Sequence, residues 1–326
     1  MKRREFITLL TGAAAWPLAA RAQQAAMPII GFLGFGSPRS NRGLVERFRK
    51  GLAEAGYVEG RNVAIEFRWG AAQLAQMQSL AADLVQHRPT VIVAVGALAP
   101  ALAAKAVTET IPIVFVYGGD PVKDRLVASL SRPGSNITGM TFITTELTSK
   151  RLEFLHEMVP NVTTIAFLTG DASFFDYEER TSTMLAAGRA LGLQVIIVEC
   201  HSHRDFEAAF ATLVQRQAGA LILGNTPFDN LDRVVALAAH HKIPAIYFDS
   251  SLVFGGGLMS YSADRTALWR QVGVNYVGPI LQGAKPANLP VQRPTKFQLV
   301  INLKTAKALG LEIPSSVLAR ADEVIE

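Results

Sequence analysis

The chain of 326 residues contains a single cysteine, Cys200. One thiol excludes an intrachain disulfide framework and every metal site built from several cysteines. The modestly apolar stretch near the N-terminus is too short to span a bilayer, and no other segment reaches the ~18 to 20 uninterrupted apolar residues that spanning requires. Charged residues make up 18% of the chain and apolar residues 49%, which excludes intrinsic disorder. At roughly 150 residues per domain, the length predicts about two globular domains.

Motifs of common catalytic and cofactor sites are also missing. The chain has no G-x-S-x-G elbow, no H-E-x-x-H pair and no Walker loop. Gly34 and Gly36 resemble the start of a dinucleotide fingerprint, but Arg39 stands where the third glycine would allow close approach to a pyrophosphate. The histidines that follow Cys200 have no carboxylate to complete a metal site, so we interpret them as structural or solvent-exposed. The sequence predicts no catalytic residue, no metal and no cofactor.

The N-terminus has the features of an export signal. Residues 2–4 are cationic, residues 6–18 are modestly apolar, and residues 20–22 form a small-x-small cleavage pattern. Residues 3–7, RREFI, resemble the twin-arginine motif of the Tat export route. A charged helix retained on a cytosolic protein is the alternative. We predict a Tat-type signal peptide over residues 1–22 and a periplasmic location.

Most of the basic character of the chain belongs to that signal. The whole sequence has 32 basic and 27 acidic residues, a formal net charge of +5. Cleavage after Ala22 leaves 28 basic and 26 acidic residues, a net charge of +2. No basic stripe with interleaved aromatic residues remains, so we predict no nucleic-acid partner.

The mature chain alternates apolar strand patterns with helical patterns, and the series restarts after Thr141. Uninterrupted apolar strands between helices are typical of parallel sheets covered on both faces. The sequence therefore predicts an α/β protein with two doubly wound, Rossmann-like lobes. The predicted strands are 28–33, 62–68, 91–95, 113–117 and 136–141 in the first series, and 164–168, 194–198, 220–223 and 245–248 in the second.

The end of the chain has too few elements for a third domain. Residues 264–281 have the spacing of a helix, and residues 297–301 form an apolar strand after a proline-rich connection. We expect these elements to return and complete the two lobes. The predicted lobes are 27–141 plus 258–285 for the N-terminal one, and 142–257 plus 286–326 for the C-terminal one.

Loops at the carboxyl ends of parallel strands are where such sheets bind ligands, because helix N-termini present free N–H groups there. The backbone of residues 96–98 could hold a carboxylate in this way. Asp120 and Asp249 allow two interpretations, a cap on the following helix or a ligand contact. Phe174 could close over an apolar ligand or form a seam between the lobes. The sequence leaves these alternatives open.

Six segments of the chain carry a family resemblance. They are GLAEAGYVEGRNV at 51–63, TIPIVF at 110–115, GDPV at 119–122, SRPGSNITG at 131–139, GGLMSY at 256–261 and PTKF at 294–297. With these motifs the chain resembles the ABC transporter substrate-binding protein family, whose better-known members are of the tryptophan/aromatic amino-acid-binding type. The resemblance covers nearly all of the mature chain. It implies a type I periplasmic-binding fold, in which three hinge crossovers join two lobes around a ligand cleft.

The loops and the resemblance together predict which residues bind the ligand. They are Phe35, Ser37, Gly96, Ala97, Leu98, Tyr117, Asp120, Asp171, Phe174, Asn225 and Asp249. Many family members have a hydroxyl residue directly after the glycine that matches Gly96, where it can help to hold a carboxylate. This chain has Ala97 and Leu98 there, which makes an α-amino-acid ligand less expected than a more apolar or aromatic acid.

The resulting hypothesis is a monomeric, exported solute receptor that closes over one small molecule without covalent chemistry. The resemblance implies docking on an ABC permease of the inner membrane with its ATPase. Hinges are expected near residues 141–145, 250–257 and 283–288. Gene repressors share the fold, but a helix-turn-helix should then precede the first lobe, where this chain has its export signal. An exported enzyme on the same scaffold is the third class.

Overall fold

Two sheets covered by helices make up the part of the chain that the computed structural model describes, namely residues 27–142, 144–170, 177–224, 226 and 229–326. The first lobe opens with β1 (Ile29–Gly34), α1 (Arg42–Glu54), β2 (Ala64–Trp69), α2 (Met77–Gln86), β3 (Val91–Val95), α3 (Leu98–Val107), β4 (Ile113–Tyr117) and β5 (Ile137–Thr141). Its strands are all parallel, in the order β2-β1-β3-β4-β5. This is the doubly wound sheet that the alternating patterns predict.

The second lobe continues the alternation. Its elements are α4 (Thr144–Met158), β6 (Thr164–Gly170), α5 (Tyr177–Ala190), β7 (Gln194–Cys200), α6 (Phe206–Gln215), β8 (Ala220–Leu223), α7 (Asp232–His240), β9 (Ala245–Tyr247), α8 (Ser250–Phe254) and β10 (Met259–Ala263). The strands β6 to β10 pair in parallel. Each lobe therefore presents the carboxyl ends of its parallel strands along one edge.

The C-terminal elements are α9 (Arg265–Gln271), a π-helical turn (Val272–Val277), α10 (Gly278–Leu281), β11 (Phe297–Asn302), α11 (Leu303–Ala308), α12 (Ser315–Leu318) and β12 (Glu323–Ile325). Strand β11 runs antiparallel to β10 and pairs in parallel with β12. The second sheet thus has the order β12-β11-β10-β9-β8-β6-β7. The end of the chain thus contributes elements to both lobes.

The π-helical turn interrupts the single helix predicted over 264–281. Gly273 in this turn lies directly against Gly51 of α1, because a Cβ atom on Gly273 would be 2.5 Å from the carbonyl carbon of Gly51. Only two glycines permit such a close backbone contact. Trp269, Val272 and Tyr276 are then buried in the core of the first lobe.

The described chain passes between the lobes after β5, between β10 and α9, and before β11. Residues 258–263 therefore belong to the second lobe and not, as the sequence predicts, to the first. Residues 286–292 belong to the first lobe, not the second, because Gln292 N donates to Gly139 O at 3.1 Å. The boundary was misplaced because β10 contains Ser260 and Ser262, so its sequence lacks the apolar run of the other strands.

The core of each lobe consists of two apolar clusters, one on each face of the sheet. Strands β3 and β4 are buried at every position, as their continuous apolar runs predict. Burying each large side chain, such as Phe32 or Phe115, contributes about 1.5 to 3 kcal/mol. Within the described residues, no helix combines the length and the apolar character needed to cross a membrane.

Candidate functional site

A cavity of about 400 Å³ lies between the two lobes, at the carboxyl ends of the parallel strands. Its volume is within the range of small-molecule binding sites. Residues after β1, β3 and β4 line it from the first lobe, together with Leu268 and Trp269 of α9. Residues of α4 and α5, the last residues of β10, and those that follow β8 and β9 line it from the second lobe. Both lobes therefore enclose the same space.

The first-lobe wall is mostly apolar, although it also includes Arg39, Ser40 and Asn41. Of the residues predicted to bind ligand, this wall contains Phe35, Gly96, Ala97, Leu98 and Tyr117. Phe35 and Leu98 are buried, since the apolar residues on both sides of the sheet extend to its carboxyl edge. The structure thus brings these five predicted residues together on one surface of the cavity.

The start of α3 brings backbone polarity to this wall. Gly96 has a φ of +97°, which favours glycine, and turns the chain from β3 into the helix. Ala97 is the N-cap and has no side-chain oxygen to accept the first free N–H groups of α3. Those N–H groups, and the positive end of the helix dipole, therefore stay available at the cavity.

Tyr117 is held in place by a partly buried acid. Its hydroxyl donates to Oδ2 of Asp124 at 2.8 Å, and its ring meets Phe115 edge to face at 5.6 Å between centroids. Burial and this hydrogen bond raise the pKa of Tyr117, so the phenol stays protonated. Burial also raises the pKa of Asp124, although the hydrogen bond from Tyr117 acts in the opposite direction. The ring thus presents a fixed face to the cavity.

Ser37 and Asp120 are not among the residues that line the cavity. Ser37 lies at its rim, where its hydroxyl donates to Oδ1 of Asp229 in the second lobe at 2.7 Å. Asp120 accepts hydrogen bonds from the backbone N–H groups of Val122 and Lys123 at 2.9 and 3.2 Å. These bonds stabilise a turn over residues 121–125 and not a helix, so Asp120 caps no helix and the following helix that one interpretation required is absent from the described chain.

The second-lobe wall is polar and charged. Arg151 and Arg180 line it and are each only 2% exposed. The Nε atom of Arg151 donates to the carbonyl oxygen of Tyr261 at 2.8 Å. Burial lowers the pKa of this guanidinium to about 10, while the nearby charge of Asp249 acts to raise it. At neutral pH Arg151 is therefore a buried cation beside the cavity.

Sequence reasoning missed both arginines because it considered only loops. A signal was present for Arg151: it precedes Leu155 by four positions and Met158 by seven, which places a charge on the apolar stripe of α4. Such a charge is buried and needs a polar partner. Arg180 lies in the first turn of α5, just after a segment that is not described, and has no comparable signal.

Asp249 lines the cavity and also caps a helix. Its Oδ1 atom accepts the backbone N–H of Ser251 at 3.0 Å, at the N-terminus of α8. Both interpretations of this residue are therefore compatible with the structure. The other predicted second-lobe residues, Asp171, Phe174 and Asn225, lie outside the described residues.

The loop after Cys200 has a structural arrangement. Asp205 accepts the backbone N–H groups of His201 and Ser202, each at 2.8 Å, and forms a capping box with Ser202. Burial raises the pKa of the Cys200 thiol to about 12. In the described part of the chain, no group of three His, Cys, Asp or Glu side chains has the geometry of a metal site.

Among the described residues, two side-chain contacts join the lobes across the mouth of the cavity. One is the hydrogen bond from Ser37 to Asp229. The other is an ion pair between Lys123 Nζ and Glu179 Oε2 at 2.7 Å, in which both side chains are about half exposed. The rims of the two lobes are therefore in contact, and we call this the closed arrangement.

Comparisons with known proteins agree with this architecture. A tyrosine-binding protein from Clostridioides difficile is 26% identical over 271 residues, which cover 81% of this chain and 76% of that protein. A solved structure of a conserved domain protein from Vibrio cholerae superposes with a TM-score of 0.81 at 25% identity, over 91% of this chain and 99% of the other. The solved structure of the ABC domain from Streptococcus pneumoniae in complex with L-Trp superposes with a TM-score of 0.79 at 26% identity. The superposition covers 92% of this chain and 100% of the other.

A family model also matches most of the chain. The model of ABC transporter substrate binding proteins matches residues 37–325, which include the first lobe after β1, the second lobe and every crossover between them. This match and the two-lobe fold confirm the resemblance and the fold class that the sequence motifs indicate. The chain therefore belongs to the ABC transporter substrate-binding protein family.

Proposed function

We propose that this chain is the periplasmic solute-binding component of an ABC importer. It closes its two lobes over one small molecule and delivers that molecule to an inner-membrane permease with its ATPase. The observation that carries the proposal is the cavity of about 400 Å³ enclosed by both lobes. A ligand in this position contacts both walls, so its binding energy favours the closed arrangement.

The proposed ligand is an amino acid or another small carboxylate with an aromatic or apolar part. The apolar wall supports this choice, since Phe35, Leu98, Tyr117 and Trp269 offer a large apolar surface. The relatives support it as well, because one is a tyrosine-binding protein and another holds L-Trp. Aromatic rings on such a wall contribute mainly through burial of apolar area.

The proposed ligand contacts come from both lobes. In the first lobe they are Phe35, the backbone of 96–98 and Tyr117; in the second lobe the predicted contact is Asp249. Asp171, Phe174 and Asn225 remain predictions of the sequence. Ser37 contributes indirectly, by joining the rims when the lobes close. The mechanism is a shift of population between open and closed forms, with no bond made or broken.

Export through the Tat route is part of the same proposal, with residues 1–22 as the signal. Replacing Arg3 and Arg4 together by lysine should leave the precursor in the cytoplasm, because the twin-arginine pair is what the export machinery recognises. Cell fractionation followed by immunoblotting measures the distribution. Unchanged recovery from the periplasm would contradict this part of the proposal.

A thermal-shift screen of the purified mature protein tests the receptor function. The panel contains amino acids, aromatic acids, sugars and purines, and a ligand at 100 times its Kd should add about 2.7 kcal/mol to the free energy of unfolding. Mass spectrometry of each stabilising compound after incubation shows whether it is recovered intact. A panel without any stabilising compound contradicts the proposal, and conversion of a compound into product would favour an exported enzyme instead.

A further inference from the structure

The two walls of the cavity differ in charge. Among the described lining residues of the first lobe, Arg39 is the one charged side chain, and it is exposed. The second-lobe wall has Arg151, Arg180 and three aspartates. The side chains of the two walls therefore favour the orientation in which the apolar part of a ligand faces the first lobe and its charged part faces the second.

Arg151 is the charged residue of this wall that most needs a partner. It is 2% exposed, and the hydrogen bond from Nε to Tyr261 O at 2.8 Å is the one that its guanidinium forms with the described residues. None of the described carboxylates forms an ion pair with it. Arg151 lines the cavity, and its two terminal nitrogens donate no hydrogen bond to the described residues.

A buried cation without a counter-charge is costly, because desolvation is not compensated by an ion pair or by hydrogen bonds. Burial already lowers the pKa of Arg151 to about 10. Asp249 is the acid whose charge acts on it most directly, but Asp249 is occupied in part as the cap of Ser251 N. The cavity itself is therefore the place from which an anion can reach the guanidinium.

The shape of the side chain indicates the kind of anion. A guanidinium anchored through Nε leaves its two terminal nitrogens as a planar fork, which matches the two oxygens of a carboxylate. The opposite wall offers no competing hydroxyl after Gly96, since Ala97 and Leu98 stand there. Thr226, 8% exposed, adds a hydroxyl on the same wall as Arg151, and this hydroxyl has no partner among the described residues.

We propose that Arg151 holds the carboxylate of the ligand, so that the second lobe recognises the anion and the first lobe recognises the apolar part. This inference rests on the proposed function, because it assumes that the cavity binds a solute. It makes Arg151 a specificity-determining residue, which selects free acids over their neutral amides. Such a preference would be set by α4 and not by the glycine loop before α3.

Isothermal titration calorimetry on the purified mature protein tests the inference with matched probes. The acids are L-tryptophan, L-tyrosine, indole-3-acetate and 3-phenylpropanoate, and each is compared with its primary amide. For the acid that binds best, the wild type should bind the acid about 100-fold more tightly than the amide. R151Q should lose about 100-fold in affinity for the acid and keep its affinity for the amide, which a purely structural role would not produce.

Two further variants complete the experiment. R151K keeps the charge but not the fork, and should recover part of the affinity for the acid. R216Q removes an exposed arginine of the same lobe and should bind like the wild type. Circular dichroism checks that each variant is folded. If R151Q does not fold, the affinities of R151K and the comparison of acid with amide on the wild type test the role of Arg151.

The outcomes separate this inference from the proposed function. Equal binding of acid and amide, or unchanged binding of the acid by folded R151Q, overturns the role of Arg151. Binding of sugars or purines without any carboxylate also overturns it, while the receptor function stands. Absence of binding by every class of compound contradicts the proposed function and this inference together.

Discussion

The hydroxyl of Ser37 donates a hydrogen bond of 2.7 Å to Oδ1 of Asp229, although 192 positions separate the two residues in the chain. Ser37 follows β1 in the first lobe, and Asp229 follows β8 in the second. The bond therefore exists only while the lobes are closed over the cavity. It links the conformation of the protein directly to the state of its candidate binding site.

Ser37→Ala should weaken closure and hence ligand binding. Loss of one hydrogen bond to a charged group at a partly exposed rim costs about 1 kcal/mol, or about 5-fold in Kd. Calorimetric titration with the best compound of the thermal-shift screen measures the change. Ser79→Ala, an exposed serine of the same lobe, is the control. An unchanged Kd in S37A would show that the rim contact does not contribute to closure.

The ion pair between Lys123 and Glu179 should make closure sensitive to salt. Both side chains are about half exposed, so dissolved ions screen their attraction. We expect the Kd of the wild type to rise between about 0.05 and about 0.5 M NaCl, and this dependence to be smaller in Lys123→Met. If the Kd of both proteins depends on NaCl concentration to the same extent, the ion pair between Lys123 and Glu179 is not the cause of that dependence.

Tyr117→Phe should destabilise the first lobe as well as change the cavity wall. The variant removes the hydroxyl that donates to Asp124, and a partly buried carboxylate is left without that donor. The expected loss is about 1 to 3 kcal/mol in the free energy of unfolding, measured by urea denaturation. If the carboxylate is responsible, Asp124→Asn should suppress most of the effect in the double variant. Equal losses with and without Asp124 would contradict this reason.

Asp124 should also contribute a pH dependence with a defined sign. Burial raises its pKa in the folded protein above the ordinary value of 3.8. The unfolded chain therefore loses this proton first as the pH rises, and the free energy of unfolding falls from pH 3.8 up to the raised pKa. Asp124→Asn should gain stability relative to the wild type across this window. A difference in stability that does not change with pH would contradict the raised pKa.

Alanine substitutions at two glycines should have opposite effects. A Cβ on Gly273 would be 2.5 Å from backbone atoms of Gly51 and Leu52, which cannot move independently of α1. Gly273→Ala should therefore cost about 1 to 3 kcal/mol. Gly43 is exposed in α1 and meets only the flexible end of Arg47, so Gly43→Ala should stabilise by up to ~1 kcal/mol. Thermal unfolding of both variants measures the contrast, and equal signs would contradict the packing argument.

Local patterns along the chain determined most of the fold. The continuous apolar runs predicted β3 and β4, which are buried at every position. Such patterns are reliable because burial on both faces of a sheet demands apolar residues throughout the strand. Strand β10 was not predicted, since Ser260 and Ser262 break its apolar pattern, and with it the boundaries of the two lobes were misplaced.

The candidate site was predictable only in part. Predicted strands end at or just before Phe35, the segment 96–98 and Tyr117. Because ligands bind at the carboxyl ends of parallel strands, these residues were predicted at the binding site, and they line the cavity. Arg151 lies within a helix, where charged residues are usually solvent-exposed, and its burial depends on how α4 packs beside β10. The contact between Ser37 and Asp229 depends on the path of the whole chain between them.

The amino-acid sequence by itself determined the class of the fold, the family and one wall of the cavity, because these depend on periodicity and on contiguous motifs. The tertiary structure decided which strands share a sheet, which lobe each C-terminal element joins and which charges are buried at the cleft. The physical reason is that burial and pairing depend on neighbours distant in the chain, and no local pattern specifies those neighbours.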